Sequence, residues 1–383
     1  MKFRRIFLII LDSFGIGATK DSDNYGDGTS NSLLNTLKNY NIELPNFKAL
    51  GLFKLFDDGD YKTIGYYTKG IPYSKNKCSV ISMQEMIGNK LEKRYQKFDL
   101  KYLDKDLRNL LETEIDRKIV ISDTNNIDDM LKKYGTDNIR NGNIIINYNY
   151  YTLNIYAHES IIPLNGLTKI GQIFNDILGE KYFINKICVY NFKGTNNLFM
   201  LDKNCNIISF KEKNSDLLYK MKKKGLKIIT IGKANKVFNI NEITNMCLTN
   251  NDLDSVKKLI GASTFNFNGL CIANLSDLNI CGHRRNPEKY ANVLKSYDHL
   301  IPLLLKNIGV NDIVIFTSEQ GNDPTYSGID HTRENVPVLV YSPKFKDSDE
   351  LPYLQTLSDI GATIADNFDI KIENGKSFLE RLK

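Results

Sequence analysis

The sequence predicts an α/β protein: a mostly parallel sheet flanked by helices, with a second α/β domain inserted into it. Three observations predict this. Short, wholly apolar runs recur at IFLIILD (6–12), LKIITIG (226–232), GLCIANL (269–275), DIVIFTS (312–318) and VPVLVYS (336–342), as strands buried on both faces require. Amphipathic helical stretches lie between them, at SDLLYKMKKK (215–224), PEKYANVLKSYDHLIPLLLKNI (287–308) and LSDIGATIADNF (357–368). From about Asn89 to Phe210 the alternation is interrupted by KIVIS (118–122), IIINYNY (144–150), KICVYN (186–191) and NIISF (206–210), which carry helices and turns of their own. The expected division is a discontinuous core of residues 1–88 and 212–383, and an inserted cap of residues 89–211, the arrangement of an enzyme that shields its reaction with a lid.

Taken in order, MKFRRIFLIILD has the basic start and apolar run of a signal peptide. The run is closed at Asp12 and has no small-residue cleavage site, so a first buried strand is the better reading. Asp12 then stands at a strand end, either capping the turn SFGIG or meeting groups from neighbouring loops. Lys233, Asn274 and Ser318 occupy equivalent positions after or at the ends of other strands. Open α/β sheets place their sites along that edge. The run KMKKKG (220–225) sits at a helix end, where cations suit the helix dipole, and reads as a solvated terminus.

A chain of 383 residues is long for one domain and comfortable for two, so a large buried core is available. The net charge of +6 is dispersed, with neither a basic stripe nor a nucleic-acid-binding motif, so no nucleic-acid partner is expected. The six cysteines (78, 188, 205, 247, 271, 281) show no CxxC pairing and sit mostly in strand-like contexts, which predicts buried free thiols in a reducing compartment. No segment approaches the roughly 18–20 apolar residues of a membrane span, and a cytoplasmic location away from membranes is expected.

Only four histidines are present. His283 in CGHRRNP and His331 in GIDHTREN follow strands at the same sheet edge, each flanked by arginine. Arg284, Arg285 and Arg333 have the planar fork that binds phosphate in two places at once, although surface ion pairing is the commoner fate of a single arginine. His158 and His299 read as structural.

The segments LDSFGIG, LPNFKALGL, IGK, CGHRRNPEKYA, GNDPTYSGIDHTRENVPVLVYSP and DIGATIADNF together resemble the signature segments of the phosphopentomutases, in the alkaline phosphatase superfamily. The resemblance runs over nearly the whole chain. It implies an alkaline-phosphatase-like core with an inserted α/β cap. It also implies two divalent cations, Mn²⁺ or Mg²⁺, and phosphate exchange between the 1- and 5-oxygens of ribose or deoxyribose through a phosphorylated side chain. The implied partner is a small phosphosugar; no protein partner is implied.

Carried over by position, the resemblance makes Ser79 the phosphate carrier, where the family has Thr. Asp12, Glu319 and Gln320 would flank one metal, and Asn279, His283 and His331 the other, with Lys233 and Arg333 near phosphate. Several positions depart from the family pattern. Asn279 replaces an Asp, Glu319-Gln320 replaces an Asp-His pair, and in KCSVISMQEMIG Cys78 and Met83 replace an Asp and a His. In the inserted domain, DTNNIDDM (123–130) stands where members read KPASGTEI. NYNYYTLNIYAHE (147–159) places Tyr148 and Tyr150 where a Ser and an acidic sugar-binding residue are usual. The arginines that usually follow have no counterpart in KICVYNFKGTNN (186–197). Three outcomes follow from these exchanges: a retuned mutase, a catalytically degenerate protein that keeps the fold for binding or assembly, or a phosphatase or phosphotransferase with another substrate.

Overall fold

The computed structural model describes the chain except residues 1, 58, 91–95, 101–102, 150–151, 180, 196–197, 210–215, 239–240 and 329. The chain divides into two compact units, one of Met1–Arg94 with Lys213–Lys383 and one of Tyr95–Glu212.

The first unit opens with β1 (Arg5–Leu11), α1 (Ser32–Asn39), α2 (Pro45–Ala49), β2 (Tyr66–Gly70) and α3 (Ser79–Met86). The intervening unit holds β3 (Gln96–Lys97), α4 (Lys105–Ile115), β4 (Ile119–Ile121), α5 (Ile127–Asn141), β5 (Ile144–Asn149) and β6 (Thr152–His158). It continues through α6 (Leu164–Leu178), β7 (Tyr182–Phe183), β8 (Lys186–Thr195) and β9 (Leu198–Ser209). The first unit then resumes with α7 (Asp216–Lys223), β10 (Lys227–Gly232), α8 (Ala234–Val237), β11 (Asn245–Cys247), α9 (Asp252–Thr264) and β12 (Gly269–Leu275). It ends with α10 (Asp277–His283), α11 (Pro287–Leu305), β13 (Asp312–Thr317), β14 (Val336–Tyr341) and α12 (Ser358–Asn367).

The sheet of the first unit runs β11-β10-β12-β1-β13-β14-β2. Its central strands are parallel and buried on both faces, which is why they read as unbroken apolar runs. One expectation needs correcting: VPVLVYS is a strand, but β14 runs antiparallel to β13 and to β2. Burial on both faces gives the same run of apolar letters in either direction, so the sequence pattern alone does not distinguish them. On one face Phe7, Ile9 and Leu11 pack with Phe47, Leu294 and Tyr297. At the amino ends, Arg5 reaches Asp312 with both Nε and Nη2, at 2.8 and 2.5 Å, tying β1 to β13.

The second unit is a five-stranded sheet, β4-β5-β6-β8-β9, with its own core around Ile144, Ile155, Phe174 and Val189. Its strand Thr152–His158 falls in a stretch the sequence did not single out as a strand, and β8 and β9 form a long antiparallel pair. Among the described residues no helix is long and apolar enough to cross a membrane. Among the described residues Cys78, Cys188, Cys271 and Cys281 are buried free thiols and Cys247 is a half-buried one.

Candidate functional site

Four adjacent parallel strands, β10, β12, β1 and β13, end along one edge of the large sheet, and the residues just beyond them meet there. Asp12 follows β1 and donates its backbone N–H to Leu275 O at 2.8 Å, extending the ladder by one bond. Lys233 follows β10, the Ser318-Glu319-Gln320 segment follows β13, and α10 follows β12 with Asn279 and His283. Ser79, the first residue of α3, is brought to the same place and is buried.

The result is one continuous polar network. Ser79 Oγ donates to Glu319 Oε1 at 2.9 Å, accepts from Gln320 Nε2 at 2.7 Å, and lies 3.3 Å from Asp12 Oδ1. Lys233 Nζ donates to the other oxygen of Asp12 at 2.6 Å. On the far side, Ser13 Oγ lies 3.3 Å from Asp12 Oδ1 and 3.0 Å from Asn279 Oδ1. That amide oxygen is 3.0 Å from His331 Nε2, which is 3.1 Å from His283 Nε2. The structure therefore gathers Asp12, Ser79, Lys233, Asn279, His283, Glu319, Gln320 and His331 in one cluster.

Several supporting residues carried no sequence signal. Ser13, fully buried, has φ of 75°, a left-handed conformation that costs a residue with a side chain and that clusters at functional sites. Its carbonyl accepts from Tyr290 Oη at 2.8 Å. Asp252 takes the backbone N–H groups of Ser276 at 2.9 Å and Asp277 at 2.7 Å and the hydroxyl of Tyr297, which fixes the start of α10 and so aims Asn279 and His283. Glu85, on α3, accepts from Tyr73, Ser74 and Leu357 backbone N–H groups and from Thr356 Oγ1, and so anchors the helix that carries Ser79. Glu334 accepts from the N–H groups of Gly17 and Ser32 and from the hydroxyls of Ser32 and Thr332. It fits because Gly15 and Gly321 have no Cβ: one built there would stand 2.3 and 2.4 Å from its carboxylate oxygens.

The electrostatics follow from burial and from Lys233. Burial alone would raise the pKa of Asp12, but the Lys233 charge and hydrogen bonds from Glu319 and Lys233 hold it down at about 2. Glu319 is driven well above the usual carboxylate range, first by burial and then by the Asp12 charge. Of the two carboxyls, Asp12 is therefore the readier to carry the negative charge. Burial opposes the charge on Lys233, yet Asp12 and Glu319 raise its pKa above the ordinary value. Burial and the neighbouring His283 keep His331 well below its usual pKa, so its ring is neutral at pH 7.

The remaining expected residues lie elsewhere. Arg333 is buried, with Nε and Nη2 each 3.1 Å from Asp21 and Nη1 donating to Ser74 O at 2.7 Å. Arg285 also has φ in the left-handed region, and its guanidinium donates to Gly282 O, Asn322 Oδ1, Asp323 O, Gly328 O and Asp330 O. Both arginines thus bind the protein's own groups. Tyr148 belongs to the second unit, where its ring meets Phe98 edge-on at 4.9 Å between centroids. Tyr150 lies outside the described residues. His158 bonds Ser160 Oγ and Gly194 O, in keeping with a structural role.

Comparison with known proteins adds the family. A solved protein of Pyrococcus horikoshii superposes with a TM-score of 0.51 at 12% identity, covering 98% of this chain and all of that one. At that identity the likeness speaks for the fold alone. The phosphoglycerate mutase of Leishmania mexicana also matches, at 9% identity and a TM-score of 0.46 over 98% of each chain, too distant to carry weight. The family model described as the metalloenzyme superfamily matches residues 4–372, nearly the whole length. The chain belongs to the metalloenzyme superfamily.

Proposed function

We propose that this chain is a phosphopentomutase-like phosphoryl-transfer protein that accepts phosphate on Ser79 and exchanges it between the 1- and 5-positions of ribose or deoxyribose. The observation that carries this reading is the setting of the Ser79 hydroxyl. It donates to Glu319 at 2.9 Å and lies 3.3 Å from Asp12, beside the Lys233 ammonium. A nucleophilic hydroxyl needs a group to take its proton, and the carboxyls of Glu319 and Asp12 are the acceptors within its reach. In the transfer, Ser79 Oγ forms a bond to phosphorus as the bond from phosphorus to the sugar oxygen breaks. The serine proton passes to the carboxyl pair and returns to the departing sugar oxygen. Lys233 supplies positive charge beside the phosphoryl group, and α3 presents its N-terminus to the same place.

Membership of a metalloenzyme superfamily implies a divalent metal, and the residues present do not fit a centre of two. Among the described residues no group of three or more His, Cys, Asp or Glu side chains is placed to hold a metal ion. Asp12 already faces an ammonium, Gln320 and Asn279 are uncharged, and among the described residues the hydrogen bonds of the His283–His331 pair to Asn279 Oδ1 and Lys77 O bring in no carboxylate.

The uncharged Asn279 and Gln320 at expected ligand positions favour a second reading, a degenerate protein that binds a phosphosugar without turning it over. Incubation with ribose 5-phosphate and a ribose 1,5-bisphosphate primer separates the two. Formation of ribose 1-phosphate that is lost in Ser79→Ala supports the mutase. Saturable sugar-phosphate binding with no product supports the degenerate protein. Release of inorganic phosphate with no primer requirement would replace both with a phosphatase.

A further inference from the structure

We infer that the Lys233 ammonium is the resident cation of the Asp12 position, so that this chain holds at most one divalent ion where its family resemblance implies two. The inference deepens the proposed function and rests on it only in placing the phosphoryl group at Ser79. Lys233 Nζ sits 2.6 Å from Asp12 Oδ2, within the range of a charge-assisted hydrogen bond. Asp12 is fully buried and the Lys233 side chain is 22% exposed, so the pair is largely shielded from solvent.

The ligands around this position are few in charge. Asp12 and Glu319 bring two carboxyls, Gln320 and Ser79 bring none, and Lys233 cancels one of the two. A divalent ion entering there would meet a net charge of at most −1, and would have to displace the ammonium or share an oxygen with it. Such a swap leaves a buried ammonium unpaired, which low-dielectric surroundings disfavour strongly. Gln320, where the resembled family has a metal-binding His, donates from Nε2 to Ser79 and keeps Oε1 buried without a partner, so it offers an ion one neutral oxygen and no charge. At the other position, His283 Nε2 and His331 Nε2 are 3.1 Å apart, close to the separation of two nitrogens sharing one ion at about 2.0–2.1 Å. One ion is compatible with that spacing; a second would have only the Asp12 and Glu319 carboxyls, whose charge Lys233 already offsets.

The test is a count of bound ions, by electron paramagnetic resonance of free Mn²⁺ and by equilibrium dialysis with Zn²⁺, on the full chain. Wild type is expected to bind no more than one equivalent, and any ion that binds should be lost in His283→Ala. Lys233→Met is expected to bind one equivalent more than wild type, because it frees Asp12, while Lys233→Arg should match wild type. Two equivalents on wild type, or an ion that persists in His283→Ala, would overturn the inference. So would an unchanged count in folded Lys233→Met; if that variant does not fold, the wild-type count and His283→Ala decide alone. Because ion counting needs no turnover, failure here is separate from failure of the mutase reading, which Ser79 phosphorylation decides.

Discussion

Lys233 Nζ is held 2.6 Å from Asp12 Oδ2, so a side chain beyond β10 closes on one beyond β1, across the strand that lies between them. The other oxygen of Asp12 lies 3.3 Å from Ser79 Oγ, so the contact brings a positive charge near that hydroxyl. Lys233→Ala should therefore reduce phosphoryl transfer to Ser79 by at least roughly a hundredfold, the usual scale for losing one charge-stabilising group at a transition state. Single-turnover phosphorylation with a bisphosphate donor measures it, and Lys233→Arg should recover part of the rate.

Asn279→Asp puts a carboxylate where an amide oxygen now lies 3.0 Å from His331 Nε2. Added ligand charge raises the affinity of a site for a divalent cation, and the gain expected here is roughly tenfold or more. Thermal unfolding with and without Mn²⁺ or Zn²⁺ reads it, and an unchanged metal response would count against the His283–His331 cluster as an ion seat.

Glu85→Ala removes the acceptor for three backbone N–H groups and the Thr356 hydroxyl at the root of α3. Leaving buried donors unmatched costs roughly 1–3 kcal/mol each, and some will find water, so a loss of about 3–5 kcal/mol is expected. Urea unfolding measures the loss, and Glu85→Gln should recover part of it.

Glu334 gives a pH dependence of stability. Burial pushes its pKa from 4.5 up to about 7, against the opposing hydrogen bonds of Thr332, Ser32 and Gly17. The folded state keeps a proton that the unfolded chain releases, so this contribution is complete below about pH 4.5 and is lost as pH rises to about 7. The change amounts to roughly 3 kcal/mol at most. Unfolding free energies measured across that window should fall less steeply in Glu334→Gln than in wild type.

Gly282→Ala tests how closely α10 approaches its neighbour. A Cβ at residue 282 would stand 2.6 Å from the backbone oxygen of Asn322, so α10 must shift and carry Asn279 and His283 with it. Overpacking of this kind costs roughly 1–3 kcal/mol. Differential scanning calorimetry should show the drop, along with any loss of metal response.

The sequence made the parallel strands legible because burial on both faces leaves only apolar letters, and that placed Asp12, Lys233 and Ser318 at one sheet edge. His283 and His331 were legible from their arginine-flanked loops after strands at that edge, whereas Ser79 was legible only through the family resemblance, since nothing local distinguishes a site serine from any other helix-starting serine. Ser13 escaped notice because its φ of 75° is a property of the folded backbone. Glu85, Asp252 and Glu334 escaped because their donors come from far along the chain, as with Glu334 and Ser32 or Glu85 and Leu357. The role of Arg333 was equally hidden, because Asp21 lies in a loop with no regular pattern to align it.

Peptide mass spectrometry of Ser79 after incubation with ribose 1,5-bisphosphate, in the presence and absence of EDTA, tests the central claim most directly. Phosphate carried by hydroxyl, carboxyl and ammonium groups alone predicts a phosphorylated Ser79 peptide that survives the chelator and disappears in Ser79→Ala. An unmodified Ser79, phosphate on a different residue, or labelling abolished by EDTA would contradict it.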